Sequence, residues 1–214
     1  MELLKNTFYI NLESRKDRLK EVQEELTKIG VVGERFNAIH TKSGSIGCFL
    51  SHIKCVELAK ERGYEQVFIC EDDIQFLDPA LFMENLTKFY ENDEIMWDML
   101  MVAGNVVKHI PVTDYCSRVL DVQTTTGYVV KSIFYDTLLM NYKKGLQLLM
   151  REPAKANLYA IDIFWKSLQP SYYWYIITPL TVTQRAGFSD IECRVTDYGR
   201  LMLDINKEWL RRPG

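Results

Sequence analysis

The chain has 214 residues, of which 47% are hydrophobic and 26% charged, ordinary values for a globular protein. Its 26 basic and 29 acidic side chains give a formal net charge of −3, which excludes a nucleic-acid binder gripped through a broad basic stripe. That length buries one good core and fits a single domain over residues 1–214, with residues from about 192 onward as a C-terminal extension.

In chain order, "TFYINL" (7–12) reads as a buried first strand. Ser14 and Asp17 then outline a capping box, and Leu19, Val22, Leu26 and Ile29 follow at helical spacing up to Gly30, a C-terminal helix glycine. "RFNAI" (35–39) predicts a short second strand, and "HTKSGSIG" (40–47) a glycine-containing mobile loop. A helix is predicted over 47–64 and a third strand, "QVFICEDD", over 66–73. Pro79 opens another helix running to about Tyr90. "WDMLMVAGN" (97–105) predicts a fourth strand ending in a Gly-Asn turn, and 106–130 is β-like. A long helix over 132–150, a shorter one over 161–169 and a last apolar strand over 172–180 complete the series. Strand and helix alternate through the first hundred residues, so the chain is read as α/β with a mainly parallel central sheet flanked by helices.

The N-terminus lacks the apolar stretch of a signal peptide, and no run reaches the ~18 apolar residues of a membrane span. Cys48, Cys55, Cys70, Cys116 and Cys193 are odd in number and form no C-x-x-C pair, so they read as reduced thiols of a cytoplasmic protein. The tail carries Trp209, Leu210, Arg211 and Arg212, which suits a solvated end or a peripheral contact with an anionic membrane.

The chemistry concentrates at strand ends. Parallel α/β sheets bind ligands beyond the carboxyl ends of their strands, and Glu71, Asp72 and Asp73 stand at one. Strand alternation would aim Glu71 and Asp73 the same way and Asp72 elsewhere, giving a pair of hard oxygen ligands for Mg2+ or Mn2+. The same acids also fit a solvated turn or a helix N-terminus. Asn11, Arg15 and Arg18 close the first strand and open the first helix at the same edge, a cation set suited to phosphate oxygens. Cys48, His52 and Cys55 share one helix face, but without a fourth ligand they read as buried small residues rather than a zinc site. Asp162, ringed by apolar residues, reads either as a general base with a pKa raised by burial or as a helix N-cap. Gln184, Ser189 and Asp190 lie on a late glycine-containing loop suited to closing over a ligand.

The segments "FYINLESRKDR", "GSIGCFLSH", "VFICEDDIQF", "TTTGYVV", "AIDIFW" and "PLTVTQRAGFSDI", in this order over residues 7–191, resemble glycosyltransferase family 25. That family includes lipooligosaccharide β-galactosyltransferases and collagen hydroxylysine galactosyltransferases. The resemblance implies a GT-A fold, a UDP-sugar donor, Mn2+ or Mg2+, and inversion at the anomeric carbon. It implies Asp73 and Glu71 as metal ligands, with Asn11, Arg15, Arg18, Asp72 and Gln184 around the nucleotide sugar. Gly47, Ser51 and His52 would shape the donor site. Asp162, or failing it Asp190, would be the base acting on the hydroxyl of a glycan, a lipid-linked saccharide or a protein. Ser14 and Lys16 depart from the family pattern. A catalytically weak nucleotide-sugar or glycan binder and another metal-dependent nucleotidyl or phosphoryl enzyme are the alternatives.

Overall fold

The computed structural model describes residues 2–191 and 194–210. In chain order the elements are β1 (Thr7–Asn11), α1 (Lys16–Lys28), β2 (Glu34–Asn37), α2 (Gly44–Glu61), β3 (Gln66–Glu71), β4 (Ile74–Phe76), α3 (Pro79–Glu91) and β5 (Met99–Pro111). There follow β6 (Cys116–Lys131), α4 (Tyr135–Arg151), the short α5 (Ala156–Tyr159) and α6 (Ile161–Phe164), β7 (Trp174–Ile177), β8 (Val182–Gln184), β9 (Gly187–Ser189), β10 (Arg194–Thr196) and α7 (Gly199–Leu203).

Six strands form the central sheet in the order β2-β1-β3-β6-β5-β7. Only β6 runs against the rest: β1 pairs parallel with β2 and β3, β5 pairs parallel with β7, and both β3 and β5 meet β6 antiparallel. Side-chain alternation on β3 divides the core. Val67 and Ile69 pack with Phe49, Ile53 and Leu138 from α2 and α4, whereas Phe68 and Cys70 pack with Val22, Leu26, Phe82 and Leu86 from α1 and α3. Helices therefore cover both faces, as the alternating pattern predicts, and the sheet's carboxyl edge stays open.

Several boundaries differ from the sequence reading for local reasons. Arg15 is the N-cap of α1 and makes no side-chain cap, so the Ser14–Asp17 capping box does not form. Gly30 and Gly63, by contrast, take φ of +69° and +66° just past α1 and α2, as helix-ending glycines do. Residues 44–46 belong to α2 rather than to a loop. β5 does not turn at Gly104-Asn105 but runs on to Pro111, with its register to β6 slipping there. Gly104 is needed for approach instead: a Cβ at that position would lie 2.5 Å from Val122 Cγ2. Residues 194–210 fold back onto the body, where Met202 of α7 is fully buried in the α1/α3-side core. The Lys207 ammonium is buried against the Val106 carbonyl. Trp209 lies beneath the Arg200 guanidinium, 4.1 Å from its ring centre, while Arg211, Arg212 and Cys193 fall outside the described residues. The four described cysteines are free thiols, and among the described residues no helix is long and apolar enough to cross a membrane.

Candidate functional site

A cleft of about 400 Å3 opens at the carboxyl ends of β1 and β3. Its walls include Arg18, His40, Gly47, Cys48, His52, Glu71, Asp72, Asp73, Gln184 and Asp190. Most of the site residues expected from the sequence thus meet around one space. Asn11, Arg15 and Asp162 are not among its lining residues; Asn11 and Arg15 meet it through Asp72 and Asp190, whereas Asp162 is bonded to Thr124, which does not line it.

The three acids do not divide as strand alternation predicts. β3 ends at Glu71, which keeps to the α2 side of the sheet like Val67 and Ile69 before it. Beyond that point the chain turns into β4, so Asp73 swings toward α1 beside Asp72. Glu71 Oε1 accepts hydrogen bonds from the Thr125 hydroxyl (2.7 Å), His52 Nε2 (3.2 Å) and the Cys48 thiol (3.7 Å). Asp72 Oδ2 accepts from Asn11 Nδ2 at 2.7 Å, and Asp72 Oδ1 from Arg18 Nη1 at 3.0 Å. Asp73 Oδ2 accepts from Gln184 Nε2 at 2.7 Å and from the same Arg18 nitrogen at 3.3 Å. Its other oxygen, Oδ1, is buried with no hydrogen-bond partner.

These surroundings set the charges. Burial works to raise Glu71, but the His52 bond and charge, then Thr125 and Cys48, bring its pKa below the usual value, so it is ionised at neutral pH. Asp73 is pushed up to about 7 by burial and by the charges of Glu71 and Asp72, against the pull of Arg18. Asp72 is raised by burial despite Asn11 and Arg18. Arg18 is held cationic by Asp73 and Asp72, which outweigh its own desolvation. An unpartnered buried carboxylate oxygen in a cluster of acids is costly unless a proton or a cation neutralises it. The hard oxygens of Asp73 and Asp72 therefore fit a divalent ion in the donor set they offer.

The surrounding parts are held by equally specific contacts. Gly47 has no room for a side chain, because a Cβ would lie 2.5 Å from the Ile39 carbonyl. Ser51 Oγ accepts from Ile39 N (2.9 Å) and donates to Gly47 O (2.8 Å), so the two residues pin the 38–43 segment onto α2. Arg15 does not face the cleft: its guanidinium donates to Asp17 and, at 2.7 Å, to Asp190. Arg18 Nη2 donates to Phe188 O at 2.8 Å, so two arginines from the start of α1 hold the 187–191 segment. Asp162, at the start of α6, accepts from Thr124 N at 3.0 Å, and burial followed by the charge of Glu71 raises its pKa.

Sequence reasoning missed three contributors. Thr125 supplies the shortest bond to Glu71, and Thr124 beside it takes φ of +80°, a strained conformation for a β-branched residue, held where its N–H meets Asp162. Glu25 is buried, accepts from Phe76 N and from Arg185 Nη2 (2.7 Å), and so ties the β4–β8 pair to α1. That residue was detectable, since it falls on the apolar stripe of Val22, Leu26 and Ile29. Thr124 and Thr125 lie in the "TTTGYVV" segment of the resemblance, but nothing in that β-like run marks either as a site residue. Cys55, expected on one face with Cys48 and His52, is buried in the α2 core; Glu71 takes its place beside them.

The model of glycosyltransferase family 25, described as an LPS biosynthesis protein, matches residues 41–160. Over 106 residues, 48% of this chain, the sequence is 28% identical to a Mus musculus protein named inactive glycosyltransferase 25 family member 3, and the match spans 17% of that protein's length. Among solved structures, a glycosyltransferase involved in glycosylation of the major capsid of PBCV-1 superposes with a TM-score of 0.54 at 10% identity, covering 83% of each chain. At that identity the likeness is one of fold, the α/β fold of GT-A glycosyltransferases.

Proposed function

The chain belongs to glycosyltransferase family 25, and from that premise we propose an inverting, metal-dependent transferase that moves a hexose, galactose or glucose, from a UDP-sugar to a hydroxyl acceptor. The observation that carries this reading is the buried, unpartnered Oδ1 of Asp73 beside Asp72, at the strand end where such a fold places its ligand. Asp73, with Asp72 next to it, would hold Mn2+ or Mg2+, which when bound supplies positive charge to a diphosphate leaving group. Glu71 adds to the negative field there while its own Oε1 is committed to α2 and β6.

The protein's own groups do the rest. Arg18 lines the cleft and offers its fork to phosphate oxygens as it gives up Asp72 and Asp73. Arg15 acts one step removed, holding Asp190 and the segment over the cleft rather than the phosphates. Asp162, desolvated and oriented by Thr124, takes the proton of the acceptor hydroxyl as that oxygen attacks the anomeric carbon and the bond to UDP breaks. Asp190 is the poorer base, since an arginine already neutralises it. The segment over 187–191 and residues 40–42 exclude water from the donor. The family model's description supports a saccharide of the lipopolysaccharide class as acceptor.

A second reading has one specific support: the mouse relative is named inactive, so the chain would bind a nucleotide sugar without transfer. Incubation with Mn2+ and UDP-galactose, UDP-glucose or a nucleoside triphosphate separates the readings. Release of UDP from a sugar donor is the expected result. Pyrophosphate release would point to a nucleotidyl enzyme, and binding with no release to the non-catalytic reading.

A further inference from the structure

On the inner wall of the cleft, away from Arg18, three different ligand types converge. Cys48 and His52 stand one helical turn apart on α2, and Glu71 reaches them from the end of β3. One atom each, the Cys48 sulfur, a ring nitrogen of His52 and a carboxylate oxygen of Glu71, lie within 4.8 Å of one another. Glu71 Oε1 is 3.2 Å from His52 Nε2 and 3.7 Å from Cys48 Sγ. Metal–ligand bonds of about 2.0–2.3 Å arranged tetrahedrally give ligand–ligand separations of this size. The Thr125 hydroxyl completes the ring, 2.7 Å from the carboxylate and 4.0 Å from the sulfur.

The shell behind these atoms is also what a metal-bound imidazole requires. His52 Nδ1 lies 2.9 Å from the Tyr128 hydroxyl, which in turn accepts from Tyr142 at 3.2 Å, all three side chains being buried. That contact fixes the ring and leaves Nε2 facing the thiol and the carboxylate. All three ligands line the cleft, so an ion has an entry path.

We propose that Cys48, His52 and Glu71 form a second cation site, selective for a borderline-soft divalent ion of the zinc type and separate from the hard-oxygen pair Asp72 and Asp73. Sulfur and imidazole nitrogen favour zinc or cobalt over manganese or magnesium, whereas carboxylates alone favour the reverse. Binding releases the Cys48 thiol proton to solvent and moves the His52 ring proton from Nε2 to Nδ1, from which it is donated to the Tyr128 hydroxyl. The site stands on this geometry alone and does not depend on sugar transfer.

Titration of the full chain with Co2+ in place of zinc tests it directly. The expected result is thiolate-to-cobalt charge-transfer absorption that saturates at one equivalent and is displaced by zinc. It should persist in Asp73→Asn and vanish in Cys48→Ser. No such absorption from the wild-type protein, or its survival in Cys48→Ser, would overturn the proposal. Alkylation of the wild-type protein gives an answer that needs no variant. One equivalent of zinc should slow modification of Cys48, the one described cysteine that is not buried. An unchanged rate would count against the site.

Discussion

Glu71 and Asp73 are two residues apart, yet they live under opposite rules. Glu71 has one oxygen bonded to Thr125, His52 and Cys48 and sits below the usual carboxylate pKa. Asp73 is the more deeply buried of the two, keeps one oxygen without a partner and is pushed up to about 7. The difference lies in where the strand stops: alternation carries Glu71 to α2, and the turn carries Asp73 to α1. A carboxylate satisfied by its own protein contributes to the fold, whereas one left unsatisfied in a cleft is poised for a ligand.

Isosteric amides sharpen that contrast most strongly in turnover. Asp73→Asn should reduce sugar transfer by at least ~10²–10³-fold, the scale for removing a group that stabilises developing charge; near-normal turnover would break the contrast at once. Asp162→Asn should lower kcat by ~10²-fold or more with the donor KM close to wild type, because it removes a base rather than a donor contact. A change confined to KM would place Asp162 at the donor instead.

Arginine variants divide the cleft's other wall. Arg18→Ala should weaken UDP by about 10-fold while leaving uridine nearly unchanged, the scale of a lost charge-assisted hydrogen bond. Arg15→Ala should weaken UDP and uridine alike and by less, because it frees the 187–191 segment rather than a phosphate contact. Matching profiles for the two variants would remove the distinction.

The smallest effects are in stability, and their signs differ. In chelator at pH 8, Asp73→Asn should raise the melting temperature and Glu71→Gln should lower it. Asp73 titrates higher when folded than when unfolded, so between about pH 4 and 7 the native state binds more protons and stability falls as pH rises. The gain in Asp73→Asn should therefore shrink toward pH 5. Glu71 titrates lower when folded, so its contribution is present at neutral pH and lost on acidification. Losing its charged acceptor should cost about 1–3 kcal/mol. Equal signs for the two variants would show that the unpartnered oxygen carries no cost.

The sequence exposed the frame of the cleft better than its wiring. Periodicity located β1, α1, β3 and α3, because each has one apolar face or an unbroken apolar run; from those elements the acids, Asn11 and Arg18 fall at one edge. The facing of Asp73 was hidden, since it depends on β3 ending one residue before Asp72. The partner of Arg15 was hidden for a related reason: local sequence shows a guanidinium near a strand end but not Asp190 arriving 175 residues later. Thr125 escaped notice because its role comes from register, in which the β3–β6 pairing brings the strand's residues alongside β3.

If Asp73 holds a cation against a diphosphate, UDP affinity measured by calorimetry with Mn2+ and then with chelator must differ. Mn2+ should tighten UDP binding by at least ~10-fold, about 1.4 kcal/mol, in the wild-type protein and leave Asp73→Asn unaffected. Equal wild-type affinity with and without the ion would contradict that role for Asp73.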